Sequence, residues 1–202
     1  MAAYTAIAEV SQTLLSLLRQ GVDSRDDVVS LDAETIALVD PEDVSIDDQT
    51  RLSLSLYHLE ENAAMKNSQP RHPTDPNVKE HSPLGLDLYY LLTAHRGGSE
   101  ESTAQTLEQQ RVVGLAAQTL HDNAIISGEQ LAGGLEADGP LTISLVDESL
   151  TERMNRVSST PEATFQPSAL YQVSTVVIDS QQRETVPSVT ERDTAVGRHP
   201  DS

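Results

Sequence analysis

Pro83-Leu-Gly-Leu-Asp-Leu-Tyr-Tyr-Leu-Leu-Thr-Ala-His95 is the stretch whose reading decides the fold. Leu84, Leu86, Leu88, Tyr90 and Leu92 recur at every second position, the period of a strand with one buried face. A Gly97-Gly98-Ser99 break follows, and then Gln110-Arg-Val-Val-Gly-Leu-Ala-Ala-Gln-Thr-Leu-His-Asp-Asn-Ala-Ile-Ile126. There Val112, Leu115, Ala116, Thr119 and Leu120 fall three and four residues apart, the stripe of an amphipathic helix. The two segments predict a long strand feeding a helix that folds back onto it. They are the densest apolar part of the chain and the expected centre of the core.

Outward from that centre, Arg51-Leu-Ser-Leu-Ser-Leu-Tyr-His-Leu59 alternates, with Leu52, Leu54 and Leu56 on one face and Ser53, Ser55 and Tyr57 on the other. One apolar and one mostly polar face predict a sheet covered chiefly on one side. Ala3 to Leu18 reads as a helix with Ala3, Ile7, Val10, Leu14, Leu17 and Leu18 inward, stopped by Gly21. Thr35–Val39 suits a short strand ended by Asp40-Pro41. Leu141, Ile143 and Leu145 suit another, and Ala169–Ile178 is a β-branched strand of good length. Ser149-x-x-Glu152 is a capping box opening a short helix with Leu150, Met154 and Val157 inward. Between Asn62 and Ser82 the pattern collapses into a proline-punctuated connection around Pro70, Pro73 and Pro76. The expected fold is α+β, a single domain over residues 1–180 with a sheet of four to six strands, mostly antiparallel or mixed, flanked by at least three helices. A polar C-terminal extension, residues 181–202, follows, in which Val186 and Val189 suit a brief last strand.

Composition narrows the function. Asp and Glu outnumber Lys and Arg by 32 to 13, a net charge of −19, and Lys66 and Lys79 are the only lysines. That balance argues against duplex binding through phosphates, and no nucleic-acid partner is expected. The acids are scattered through every segment, which suits a salt-rich medium where screening tames their repulsion, and less well an acidic surface that mimics nucleic acid. The chain has no cysteine, so disulfides, thiolate metal sites and cysteine nucleophiles are excluded. The first residues lack a signal-peptide pattern, and no apolar run nears the roughly 20 residues needed to span a bilayer. Cytoplasmic assembly without a membrane span is expected.

Catalytic signatures are missing from the pattern. Gly97-Gly98 and Gly133-Gly134 lack the spacing of a phosphate loop, and no nucleophile elbow is present. His121-Asp122 stands at the expected end of the central helix, where a histidine usually partners the helix dipole, while His72, His81 and His95 fall in or beside loops. The adjacent carboxylates Asp26-Asp27, Asp47-Asp48 and Glu100-Glu101 diverge on either a strand or a helix and read as solvated charge. No catalytic, cofactor-binding or metal-binding residue is assigned, and no enzymatic activity is expected. Tyr89-Tyr90 puts one ring inward and one outward, the outward ring serving as a candidate interface anchor.

Several blocks in register carry a resemblance. Leu52-Ser-Leu-Ser-Leu-Tyr-His-Leu-Glu-Glu-Asn62, Pro83 to Ala94, Gly114-Leu-Ala-Ala-Gln-Thr-Leu-His-Asp-Asn123, Leu141 to Val157 and Tyr171 to Asp179 together resemble the cap, or tube-terminator, proteins of extracellular contractile injection systems. The chain departs from the pattern at Ala124, where a proline is usual, and in the Leu150–Val157 segment, which lacks an aromatic. The resemblance implies a mixed α/β terminator fold and a structural role. A homo-hexameric ring would close the end of the inner tube and the last sheath ring, with the inner-tube and sheath proteins as partners, in a particle that can be released from the cell. It also marks Tyr89, Tyr90, His121 and Asn123, which lie in the most specific blocks, as candidate interface residues. The acidity fits a haloarchaeal, halophilic version of such a particle. Two other readings stay open: a different assembly component, such as a baseplate or tube-completion ring, and an acidic regulatory or adaptor module.

Overall fold

The computed structural model describes residues 4–23, 31–45, 48–66, 78–97, 102–137, 139–147 and 166–185. The expected helix at Ser149–Val157, the strand suggested by Val186 and Val189, and the free tail from Thr190 lie outside these residues. In chain order the elements are α1 (Ala6–Asp23), β1 (Ile36–Ala37), β2 (Leu52–Glu61), β3 (Val78–Glu80), β4 (Leu84–Ala94), α2 (Thr103–Asp122), β5 (Ile125–Ile126), β6 (Leu141–Leu145), β7 (Ser168–Ile178) and β8 (Arg183–Thr185). Six strands form one mixed sheet in the order β1-β2-β4-β7-β6-β5, and β3 pairs with β8 in a separate two-stranded ribbon. All the pairings are antiparallel except β1 with β2. Among the described residues, the α+β expectation meets a six-stranded sheet and two α-helices.

The quoted strand is the spine. β4 pairs with β2 on one side and β7 on the other along nearly its whole length. Its Leu86, Leu88, Tyr90 and Leu92 are all buried, whereas Leu84 at its start is not. Neighbouring strands extend these positions into rows across the core-facing side. Leu145, Tyr171, Tyr90 and Leu56 stand in one row, and Ile143, Val173, Leu88 and Leu59 in the next. The middle of each row is sealed from solvent, while Leu56, Leu59 and Leu145 at the rims are exposed.

β2 breaks its own alternation. Its register against β4 shifts between Leu56 and His58, a bulge at Tyr57. Strict alternation would send Leu59 to the polar face, but the extra residue returns it to the core side, opposite Leu88. The three-residue spacing from Leu56 to Leu59 is the sequence trace of that bulge.

The two helices pack together over the sheet's apolar face. In α1, Ala6, Val10, Leu14, Leu17, Leu18 and Val22 are buried; in α2, Val112, Leu115, Ala116 and Leu120. The helix expected at Gln110–Ile126 begins earlier and ends earlier. Ser102 caps it, its hydroxyl accepting from the Gln105 amide at 3.2 Å. Its first two turns are largely exposed, so no apolar stripe marks them. Ile125 and Ile126 leave the helix and pair with β6 as β5.

Gly21 does not stop α1, which runs on to Asp23. A Cβ at Gly21 would lie 2.4 Å from Thr119 Oγ1 and 2.6 Å from its Cγ2, so the glycine lets α1 approach α2. Gly133-Gly134, expected in a loop, opens a short 3₁₀ helix, Gly133–Ala137, and that turn is tied down on α1. Glu9 Oε2 accepts from the Gly134 amide at 3.0 Å, and Thr13 Oγ1 accepts from the Ala132 amide at 3.0 Å.

Two further expectations change. The short strand at Thr35–Val39 shrinks to Ile36–Ala37, because Ala33–Thr35 forms a 3₁₀ turn capped by the Asp32 carboxylate. The polar stretch after residue 180 contributes a strand, Arg183–Thr185, whose partners are Val78–Glu80 at the end of the proline-rich connection. Its pairing rests on backbone hydrogen bonds, which leave no apolar pattern in the sequence.

Candidate assembly surface

The residues singled out for an interface do not converge. Tyr90 is sealed in the core, and its hydroxyl lies 2.8 Å from Ser11 Oγ, joining α1 to the middle of the sheet. Burial pushes its phenol up to about 12. Tyr90 therefore serves any interface by holding the sheet against α1 rather than by offering surface.

Tyr89 faces the other way and is half-buried. Its hydroxyl donates to Glu60 Oε1 at 2.6 Å, and its ring leans on His58 with centroids 5.7 Å apart. The hydrogen bond to Glu60, then burial, then the charges of Glu60 and Asp87 push its phenol up to about 12. Tyr89, His58 and Glu60 thus form a small polar-aromatic cluster on the outer face of β2 and β4.

His121 and Asn123 stand at the far end of α2, beside β5 at the opposite rim of the sheet. Asn123 caps the helix: its side-chain amide donates to the Thr119 carbonyl at 2.8 Å, and its backbone amide reaches the Thr119 and His121 carbonyls. His121 is exposed. The four residues therefore divide between two regions, Tyr89 and Tyr90 on β4 and His121 and Asn123 near β5.

Two polar clusters escaped the sequence reading. The first joins His95 to Ser53, with Nε2 and Oγ 2.7 Å apart and both residues buried. A serine hydroxyl on an imidazole nitrogen has the geometry of an activated nucleophile, but substrate cannot reach a pair closed off from solvent. The bond instead ties β2 to the end of β4. Burial pulls the imidazole down to about 4, against the smaller upward pull of Asp48, with Arg51 adding a downward push. Arg51 also donates from Nη1 to the Arg96 carbonyl at 3.3 Å, closing the same corner.

The second cluster fixes the far end of β2. Asn62 donates from Nδ2 to both Asp87 carboxylate oxygens, at 2.9 and 3.0 Å. Its Oδ1 accepts from the Ala64 and Met65 amides, so one side chain both shapes the turn after β2 and satisfies a buried carboxylate. The turn sits flat on Gly85, where a Cβ would come within 2.6 Å of Met65 Cβ. Asn62 and Asp87 belong to two of the blocks that carry the resemblance, and the structure makes them partners.

Among the described residues, no three His, Asp or Glu side chains gather to hold a metal ion, and no helix is long and apolar enough to cross a membrane. Among the described residues, the sheet has exposed apolar side chains toward its rims and a braced polar face.

Residues 9–192 match the family described as the Pvc16 N-terminal domain. The chain belongs to that family. Its fold is similar to two solved cryo-EM structures. One is the PVC sheath/tube terminator of an extracellular contractile injection system in its extended state, with a TM-score of 0.63 at 17% identity over 99% of this chain and 66% of that one. The other is the tube-terminating cap of the anti-feeding prophage, with a TM-score of 0.59 at 20% identity over 93% and 60%. At these identities the likeness is one of fold, and the chain spans no more than about two thirds of the length of either structure. No curated protein sequence is significantly similar to it.

Proposed function

We propose that this chain is a structural subunit capping the inner tube and sheath of a contractile injection particle, and that it works as a ring of six identical copies. The observation that carries the reading is the fold likeness to two tube terminators over nearly the whole chain, joined to this chain's membership of the Pvc16 N-terminal domain family. Its partners are the inner-tube protein and the sheath protein, and the particle acts outside the cell that assembles it. The chain's task is to present complementary surfaces, and it needs neither a cofactor nor a reaction. The charge of −19 adapts that task to a salt-rich medium, where screening lets like-charged copies meet.

The test is reconstitution in molar KCl with the tube protein assembled in vitro. Co-sedimentation of the chain with the tubes, and sixfold density at tube ends in negative-stain images, are expected. Tubes that sediment without the chain, or a chain spread along the whole tube wall, would overturn the reading.

A further inference from the structure

The acid on this chain is unevenly shared. Asp40, Glu42, Asp43 and Asp48 after β1, and Glu60 and Glu61 at the end of β2, are all exposed. The outward side of the helix layer is different. On α1 the exposed positions recur every fourth residue as Ala8, Gln12, Ser16 and Gln20, and none is charged. On α2 the stripe through Leu107 exposes Thr103, Leu107, Gln110, Arg111, Gly114 and Gln118, which hold one cation and no carboxylate. Glu9 and Glu108 are half-buried and already bonded, Glu9 to the Gly134 amide at 3.0 Å and Glu108 to Arg111 Nη1 at 3.3 Å. Exposed acids return only at the two helix C-termini, with Asp23 and Asp122.

Gly114 gives this face a shape. It stands in mid-helix, where only proline is a poorer helix former than glycine. Gly21 is needed for the approach of α1 to α2, but nothing of that kind holds for Gly114. Among the described residues, no atom lies within 4 Å of where its Cβ would stand. Leu107, itself exposed, is seven residues away. Two helical turns separate them, so knob and notch lie on one line about 10.5 Å apart.

We infer that two copies of this chain pair through α2 about a two-fold axis, the helices antiparallel, with Leu107 of each seated in the Gly114 notch of the other. The stripe is self-complementary in this arrangement. An axis passing between Gln110 and Arg111 brings both leucines onto both glycines at once. It also sets each Arg111 beside the partner's Gln110, whose amide oxygen can accept from the guanidinium.

Charge selects the occupant. A second copy brings a further net charge of −19, so two copies can meet closely only where carboxylates are kept out of the contact. Charged residues are depleted at the centres of protein interfaces for the same reason. A basic partner would be drawn instead to the acids after β1. A two-fold contact closes on itself, so the pairing is additional to the seams of a sixfold ring and does not depend on them.

Light scattering after size exclusion in molar KCl should give the parent chain twice its own mass. Gly114→Leu fills the notch and Leu107→Gln removes the knob, and each should halve the measured mass. Both positions are exposed and both new residues are good helix formers, so circular dichroism should stay that of the parent. Cysteines then fix the geometry, since the chain has none of its own. Positions 107 and 114 of one copy are too far apart for a disulfide. The oxidised Leu107→Cys, Gly114→Cys double variant should therefore yield linked dimers and nothing larger, and neither single variant should link. A parent chain of any other mass, a dimer that survives Gly114→Leu, or a ladder of linked multimers would overturn the pairing. So would a Gly114→Leu chain of unchanged mass that no longer binds tubes, because the face would then belong to the tube protein.

Discussion

Replacing Gly21 by alanine separates two physical roles for one residue. A glycine inside a helix costs about 1 kcal/mol relative to alanine, so Gly21→Ala on an isolated α1 should be stabilising by that amount. In the folded chain the new Cβ would lie 2.4 Å from Thr119 Oγ1, 2.6 Å from Cγ2 and 3.1 Å from Cβ. Thr119 cannot swing away freely. It is buried in the last turn of α2, and its hydroxyl donates to the Leu115 carbonyl at 2.9 Å. The helices must separate by several tenths of an ångström, and overpacking of this kind costs about 1–3 kcal/mol. The propensity gain offsets part of that, so a net loss of roughly 1–2 kcal/mol is expected. Thr119→Ala removes the two closest atoms, and in that background Gly21→Ala should become neutral or mildly stabilising. Urea unfolding in constant high salt, followed by circular dichroism over the four proteins of the cycle, gives the coupling directly. If Gly21→Ala stabilises the parent chain by about 1 kcal/mol, the close helix contact is refuted and the residue is only a weak helix former.

Other parts of the account make their own predictions. His95 holds its imidazole neutral down to about pH 4, against an unfolded value of about 6.5, so the unfolded chain binds the extra proton first. Its contribution is present in full above pH 6.5 and drains away as pH falls toward 4, by at most about 3 kcal/mol. Comparing denaturation midpoints of the parent and His95→Gln across that window checks it, and parallel curves would contradict it. Asn62→Ala strips Asp87 of both amide contacts and should cost about 2–3 kcal/mol, whereas a loss under about 0.5 kcal/mol would show that the clamp is not needed. Tyr90→Phe loses only the hydroxyl contact to Ser11, and thermal unfolding should report a penalty of about 1 kcal/mol.

Much of the architecture was legible because the core is aliphatic and the spine is long. Leu86, Leu88, Tyr90 and Leu92 alternate for the simple reason that one face of β4 meets the helices. Val112 to Leu120 repeat every third and fourth residue because one face of α2 meets the sheet. The misreadings come where a second interaction overrides the local pattern. Gly21 reads as a terminator because glycine is a weak helix former, yet its value lies in what it leaves out, visible only with Thr119 opposite. The start of α2 is hidden because residues 103–108 bury no apolar side chain, and β8 because a ladder of backbone bonds has no side-chain signature. His95 reads as loop-side in the sequence, since nothing in Ala94-His95-Arg96 announces that Ser53 lies beside it on the adjacent strand. The Tyr89-Tyr90 pair shows its orientation in the period-two pattern, Tyr90 inward and Tyr89 outward. Its partners, Ser11 and Glu60, are distant in sequence and could not be read.

The central claim is that this fold ends a tube. Its most direct test is the length distribution of inner tubes polymerised in molar salt with increasing amounts of the chain, measured in electron micrographs. Termination predicts that mean length falls as the ratio of chain to tube protein rises, with density capping one end of each tube. A distribution that stays open-ended and unchanged at every ratio would contradict the account.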